Sequence, residues 1–351
     1  MTALVRIRPQ GRAGLCALLL TAGMACASAA IAADMTTVRV GIAQAASDAP
    51  FFIAEKKGYF AEEGIKVTFT SLTNMVPPLA TGQLDVGGTS TSAGLYNAAA
   101  RGMNVKIVAD KGSTPANYDY QPILVRKDLI DSGKVKNWGD FKGLKVAGFN
   151  NGSASLSTLN DALALGGLKL SDINLVFMPF PEHVLALSNG AIDASITTEP
   201  SATTAEEKGV AVRFTDKKGV YPDHQLAVLL YGPDFIKNNP EVAKKFMRAY
   251  MRAARDYNDA LKDGKIAGPN ADEVIGILTE STKIKNAAVY RKITPNGINP
   301  DGYANLPSMK KDLAFYKTQG LIEGNVEVED VLDNSFVDAA LKDLGPYKRA
   351  Q

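Results

Sequence analysis

From residue 38 onward the sequence alternates short β-branched runs with stretches of helical spacing, and that alternation restricts the fold to the α/β class. Val38-Arg39-Val40-Gly41-Ile42 reads as a first strand, 50–60 as a helix ended by Gly58, and 65–70 as a second strand. Residues 75–79 begin a helix that gives way at Thr81-Gly82, before a short strand at 84–88. A helix over 92–100 then leads to a strand at 105–109. This order predicts a doubly wound β-α-β-α-β lobe.

A second unit of the same kind follows. Residues 121–125 form an apolar, strand-like crossing, 140–143 a turn, and 145–148 a new strand. A helix at 153–165, a strand at 174–178, a helix at 182–189 and a strand at 194–197 complete it. The apolar run 225–231 is expected to cross back. Asn239 is placed to cap a helix with Pro240 in its first turn and Val242, Phe246, Ala249, Tyr250 and Ala253 along one face. The rest reads as mostly helical, through 271–282 and 309–318, with Gly320 a helix end. Two crossings imply a hinge between two lobes: lobe I from 34–123 and 229–351, lobe II from 124–228.

The N-terminal 33 residues have a different character. Arg6, Arg8 and Arg12 precede an apolar stretch over 13–25 and a small-residue tract ending in Ala30-Ile31-Ala32. That is the pattern of a secretory signal peptide, removed near Ala32 to leave a start near Asp34. The competing reading is a retained anchor, because the apolar and small residues together run for about the length of a bilayer span; richness in Ala, Ser and Gly favours removal. Both cysteines, Cys16 and Cys26, lie in this segment, so the mature chain is expected to carry no thiol. Gly23 stands where a lipoprotein would have a Leu-like residue before Cys26, which argues against lipid attachment.

Charge then excludes two classes of partner. The chain has 39 basic and 37 acidic residues, and loss of the three leader arginines leaves 36 against 37. A near-neutral balance fits neither nucleic-acid binding nor attachment to an anionic membrane. No later apolar run is long enough to span a bilayer.

Several segments, in order, resemble a known family. Val40-Gly41-Ile42, then Asp48-Ala49-Pro50-Phe51-Phe52-Ile53-Ala54, Lys57-Gly58-Tyr59-Phe60 and Glu62-Glu63-Gly64-Ile65-Lys66-Val67 are similar to the opening of the nitrate, sulfonate, taurine and thiamine-precursor (NMT1/THI5-like) binding proteins of ABC importers. The resemblance continues through 79–87, Asp140-Phe141-Lys142-Gly143-Leu144-Lys145-Val146-Ala147, and 187–194. It implies a two-lobed type II periplasmic binding protein, with a cleft that closes on its ligand. The matching segments are scaffold, so the resemblance names no ligand.

In doubly wound sheets ligands sit beyond the carboxyl ends of strands, where loops feed helix N-termini. After the first strand, Gln44 is a contact candidate, and Asp48 either caps the following helix or touches the ligand. Ser90 and Thr91 follow the 84–88 strand and either cap a helix or hold anionic oxygens. Asn151, Gly152, Ser153 and Ser155 repeat that arrangement in the second lobe, so two helix N-termini facing each other across the cleft would favour an anion. Glu199 either meets a ligand amine or is exposed, Tyr118 and Tyr120 either stack on a ligand or pack the hinge, and His224 beside the return strand completes the candidates.

These residues lead to an expected solute-binding component of an ABC importer, periplasmic and monomeric. Its partners would be a membrane permease and a small organic anion of sulfonate, taurine or carboxylate type. The alternatives are thiamine-pyrimidine precursor binding or synthesis on the same fold, or a sensory ligand-binding subunit. Synthesis in the related eukaryotic enzymes needs a histidine cluster and a reactive lysine, whereas this chain has only His183 and His224, and Lys111 and Lys145 have no local support for such a role. No metal-ligand spacing, nucleophile elbow or phosphate loop is visible, so no catalysis, cofactor or metal is expected.

Overall fold

The computed structural model describes residues 1–3, 35–215 and 219–349. Residues 4–33 of the expected leader, with both cysteines, lie outside the described residues. The chain divides into Met1–Met35 and Thr36–Gln351, and every element named here belongs to the second unit.

Two five-stranded sheets organise it. The first contains β1 (Thr36–Ile42), β2 (Ile65–Ser71), β3 (Val86–Ser90) and β4 (Lys106–Ser113), and the second contains β5 (Ile123–Arg126), β6 (Lys145–Gly148), β7 (Asn174–Phe177), β8 (Ala194–Ile196) and β9 (Ala211–Arg213). The later strand β10 (Gln225–Tyr231) returns to the first sheet. Strand order is β2-β1-β3-β10-β4 in one and β7-β6-β8-β5-β9 in the other. β10 runs antiparallel to β3 and β4, and β5 antiparallel to β8 and β9. Each sheet thus takes its antiparallel strand at the same position, from a segment that has just crossed between lobes.

The return strand is recognisable because both its faces are covered, which demands an unbroken apolar run rather than alternation. All seven of its residues are buried. Leu229 and Tyr231 pack on one face with Phe51, Phe246 and Tyr250, and Val228 and Leu230 on the other with Leu79, Tyr96, Met309 and Tyr316. Helix Pro240–Asp259 covers the first face and Leu306–Thr318 the second. The second lobe has its own layers, around Phe141, Leu159 and Ile196 on one side and Leu124, Leu187 and Ala205 on the other.

Local departures from the sequence reading have physical causes. The helix expected over 50–60 is Ala49–Lys56 followed by a short Tyr59–Glu62 turn, because Gly58 adopts a left-handed φ of 76°. β4 continues four residues past the expected end at 109, since Asp110 and Lys111 are buried with partners. β5 starts at Ile123, past Pro122, which has no N–H to donate. Asn239 precedes the long helix but makes no side-chain cap. Asn305 caps Leu306–Thr318, its side chain accepting from Ser308 N at 3.3 Å.

Candidate functional site

The carboxyl ends of β1 and β3 meet those of β6 and β8 across the junction of the lobes. After β1 the chain turns through Gln44, held at φ 57°, whose Nε2 donates to Ser71 Oγ at 2.6 Å. Asp48 does not cap the helix Ala49–Lys56. Its Oδ2 accepts from Ala45 N at 3.0 Å and its Oδ1 lies 2.8 Å from Lys111 Nζ, with both side chains fully buried. Lys111 also donates to Ser47 Oγ at 2.8 Å. Gly88 makes room for this lysine: a Cβ there would fall 2.5 Å from both Lys111 Cε and Phe51 Cε2.

The loops after β3 and β6 correct the picture of two helix N-termini held open to an anion. Ala93 N donates to Gly152 O at 2.8 Å and Ala154 N to Thr91 O at 3.0 Å, around an antiparallel bridge between Ser92 and Ser153. The leading N–H groups of both helices are therefore satisfied by the opposite loop. Extended backbone at Ser92 and Ser153 makes this pairing possible, and Gly152 at φ 69° fits beside Ala93, where a Cβ would come within 3.0 Å. Ser90 Oγ accepts from Ala154 N at 3.2 Å and donates to Thr91 O, while Ser153 Oγ turns back to Asn150 O. Asn151 is exposed. Asn150 Nδ2 reaches Thr73 O at 2.7 Å, adding a further link between lobes.

Behind this bridge lies a small polar cavity of about 20 Å³, lined by Ser47, Thr89, Ser90, Lys111, Tyr120, Gln121, Ser155 and Thr198 and by the stacked rings of Phe149 and Phe180. That is about the room one water needs. Among the buried oxygens without a hydrogen-bond partner are Gln121 Oε1 and Thr198 Oγ1, of two lining residues, and Thr91 Oγ1. Leaving such atoms unpaired costs about 1–3 kcal/mol each, which a single water in the cavity would offset. Burial pushes the Tyr120 hydroxyl well above its usual range, so it remains a neutral donor. Beside the cavity a wider groove of about 600 Å³, lined by Gln44, Asp48 and Phe52 of the first lobe and Pro181, Val184 and Lys208 of the second, opens between the lobes. No group of three or more His, Cys, Asp or Glu among the described residues is placed to hold a metal ion.

The remaining candidates are drawn into other roles. The buried Glu199 carboxylate is already matched: Oε1 accepts from Arg213 Nη2, Thr203 Oγ1 and Thr294 N, and Oε2 from Thr203 N. Its carbonyl accepts from Ala46 N at 2.7 Å. Glu199 thus ties second-lobe backbone to first-lobe backbone instead of offering a charge to a ligand amine. His224 sits between Thr158 Oγ1 at 2.9 Å and Asp312 Oδ2 at 2.8 Å, stacked on Tyr221 at 3.8 Å, and joins helix Ala154–Ala164 to Leu306–Thr318. Tyr118 is half-buried against the first-lobe core. Ser90, Ser155, Gln44 and Asp48 do reach the cavity or groove. Sequence reasoning missed Gln121, Thr198, Phe149 and Phe180 as cavity-lining residues, and set Lys111 aside; Gln121 and Thr198 sit beside the ends of the apolar runs β5 and β8, which is the available signal.

The family model described as NMT1/THI5 like matches residues 45–261. The chain belongs to that family. Its relatives include a Bacillus subtilis protein whose name assigns it aliphatic sulfonates, 26% identical over 88% of this chain and 90% of the relative. The taurine-binding periplasmic protein of Escherichia coli is 26% identical over 66% of this chain and 70% of its own length. Among solved structures, the nitrate-binding protein NrtA of Synechocystis PCC 6803 superposes with TM-score 0.70 at 18% identity, covering 89% of this chain and 90% of that one. This NMT1/THI5-like chain has the two-lobed type II fold of periplasmic binding proteins.

Proposed function

We propose that this protein is the extracytoplasmic solute-binding component of an ABC importer, capturing a small organic anion between its lobes and presenting the closed form to a membrane permease. The observation that carries the reading is the groove of about 600 Å³ that opens between the two lobes, with Gln44 and Phe52 on one side and Pro181, Val184 and Lys208 on the other. The names of the sulfonate and taurine relatives support the class of cargo, and the leader-like N-terminus supports a periplasmic location.

The mechanism is a shift between open and closed lobes. The backbone bridge at Ser92 and Ser153 and the contacts of Glu199 form the closed face, and the ligand stabilises that state by touching groove residues of both lobes at once. Binding is the whole task on this reading, with no chemical step. The test is thermal unfolding of the mature protein with sulfonates, carboxylates, nitrate and pyrimidines, because a ligand specific to the native state raises the melting temperature. An organic anion should stabilise the parent, and Thr204→Trp, which fills part of the groove wall, should lower its affinity about tenfold. Stabilisation by pyrimidines alone would refute the proposed cargo.

A further inference from the structure

The groove beside the polar cavity carries chemistry that the cavity lacks. Inside, Lys111 and Asp48 cancel one another at 2.8 Å, so the inner site offers an anion no net positive charge. The groove differs in both size and charge. Its volume of about 600 Å³ lies within the range of organic-ligand pockets. Its walls are apolar: Phe52 and Phe69 meet edge to face at 5.4 Å, and Val184, Leu278, Ile284 and Ile293 line the remainder. Its polar margin includes Lys208 from the second lobe and Lys283 from the first, both exposed and neither ion-paired among the described residues. Lys285 adds a third cation, donating to Glu280 O. Asp48 is the one acid in the lining, and Lys111 already neutralises it.

We propose that the cargo is an organic anion with a bulky apolar body of aromatic-ring size. The body lies along Phe52, Phe69 and Val184, and the acid group turns toward Lys208 and Lys283. This rests on the interlobe capture described above and narrows its cargo. The two lysines come from different lobes, so one anion between them draws the lobes together, whereas a taurine-sized molecule leaves most of the apolar wall in water.

The test is calorimetric titration of the mature protein with ethanesulfonate, taurine and 2-naphthalenesulfonate, which share one acid group. An additional ~100 Å² of buried apolar surface predicts affinity for the naphthalene compound at least about 30-fold above ethanesulfonate. Lys208→Gln/Lys283→Gln should weaken that binding about fivefold, less at high salt, and Ile284→Ser should reduce the advantage over ethanesulfonate. Taurine or ethanesulfonate binding as tightly as 2-naphthalenesulfonate overturns this inference and leaves interlobe capture standing. Failure of all three, and of carboxylates in the same titration, overturns both.

Discussion

Replacing Lys111 by Met tests the interior of the site through stability alone. Lys111 and Asp48 are fully buried and 2.8 Å apart. Losing the lysine leaves Asp48 with Ala45 N as its remaining donor, since Ser47 Oγ engages Lys111 rather than the carboxylate. Breaking a buried pair from one side costs about 3–5 kcal/mol, because an uncompensated charge remains in a dry interior. Met fills a similar channel between Gly88 and Phe51, so little of the loss comes from packing. At about 2.1 cal/mol/K per residue, a chain of this size loses about 1.5 °C per kcal/mol, which predicts a melting point lower by about 5–8 °C. Lys111→Met/Asp48→Asn removes both charges and keeps an acceptor for Ala45 N, so it should recover most of the loss, with a coupling of at least about 2 kcal/mol. Calorimetric unfolding of the parent, both single variants and the double variant closes the cycle. A Lys111→Met protein within about 1 kcal/mol of the parent, or a double variant no better than the single, would refute the reasoning.

Three further outcomes follow from particular contacts. Glu199→Gln should lower stability by about 1–3 kcal/mol while leaving the ratio of taurine to ethanesulfonate affinity unchanged, because its carboxylate is held by Arg213 and Thr203; a selective loss of taurine would return Glu199 to the role of amine partner. Burial holds the His183 imidazole down to about 4, so its stabilising effect is complete above its unfolded value near 6.5 and fades as pH falls toward 4. His183→Asn should therefore erase about 3 kcal/mol of the parent's pH dependence in that window, and an NMR titration of His183 near 6.5 would contradict this. Ser90→Ala/Ser153→Ala should cost less than about 1 kcal/mol and change ligand affinity under threefold, since Ala154 N keeps Thr91 O and Ser153 Oγ bonds only its own loop; a tenfold loss of binding would restore both hydroxyls as contacts.

The architecture was legible because it is written in local patterns. β6 and β10 fall where the apolar runs 145–148 and 225–231 place them, and Gly58 and Gly152 mark left-handed turns that few other residues allow. The site was legible only in part, because its chemistry depends on partners distant in sequence. Glu199 reads as a free carboxylate until Arg213 on a neighbouring element is seen to hold it. Lys111 reads as an ordinary strand residue, and its meaning comes from Asp48, 63 positions earlier. The strand-to-helix loops at Ser90 and Ser153 do come together, but spacing carries no information that their backbones would pair with each other. Asp110 shows the same limit: burial raises its carboxyl to about 6, while backbone N–H groups from Gly112 and Asn299 and the Gln225 amide hold it in place.

Capture by closure of the lobes is tested most directly by measuring their separation. Spin labels at exposed Lys66, beside β1 in the first sheet, and exposed Lys142, ahead of β6 in the second, report that distance by pulsed electron resonance. Addition of an organic anion such as 2-naphthalenesulfonate should convert a broad distribution into a narrower one at shorter distance, with the same midpoint as the calorimetric titration. A distribution that stays unchanged at saturating ligand would contradict the account.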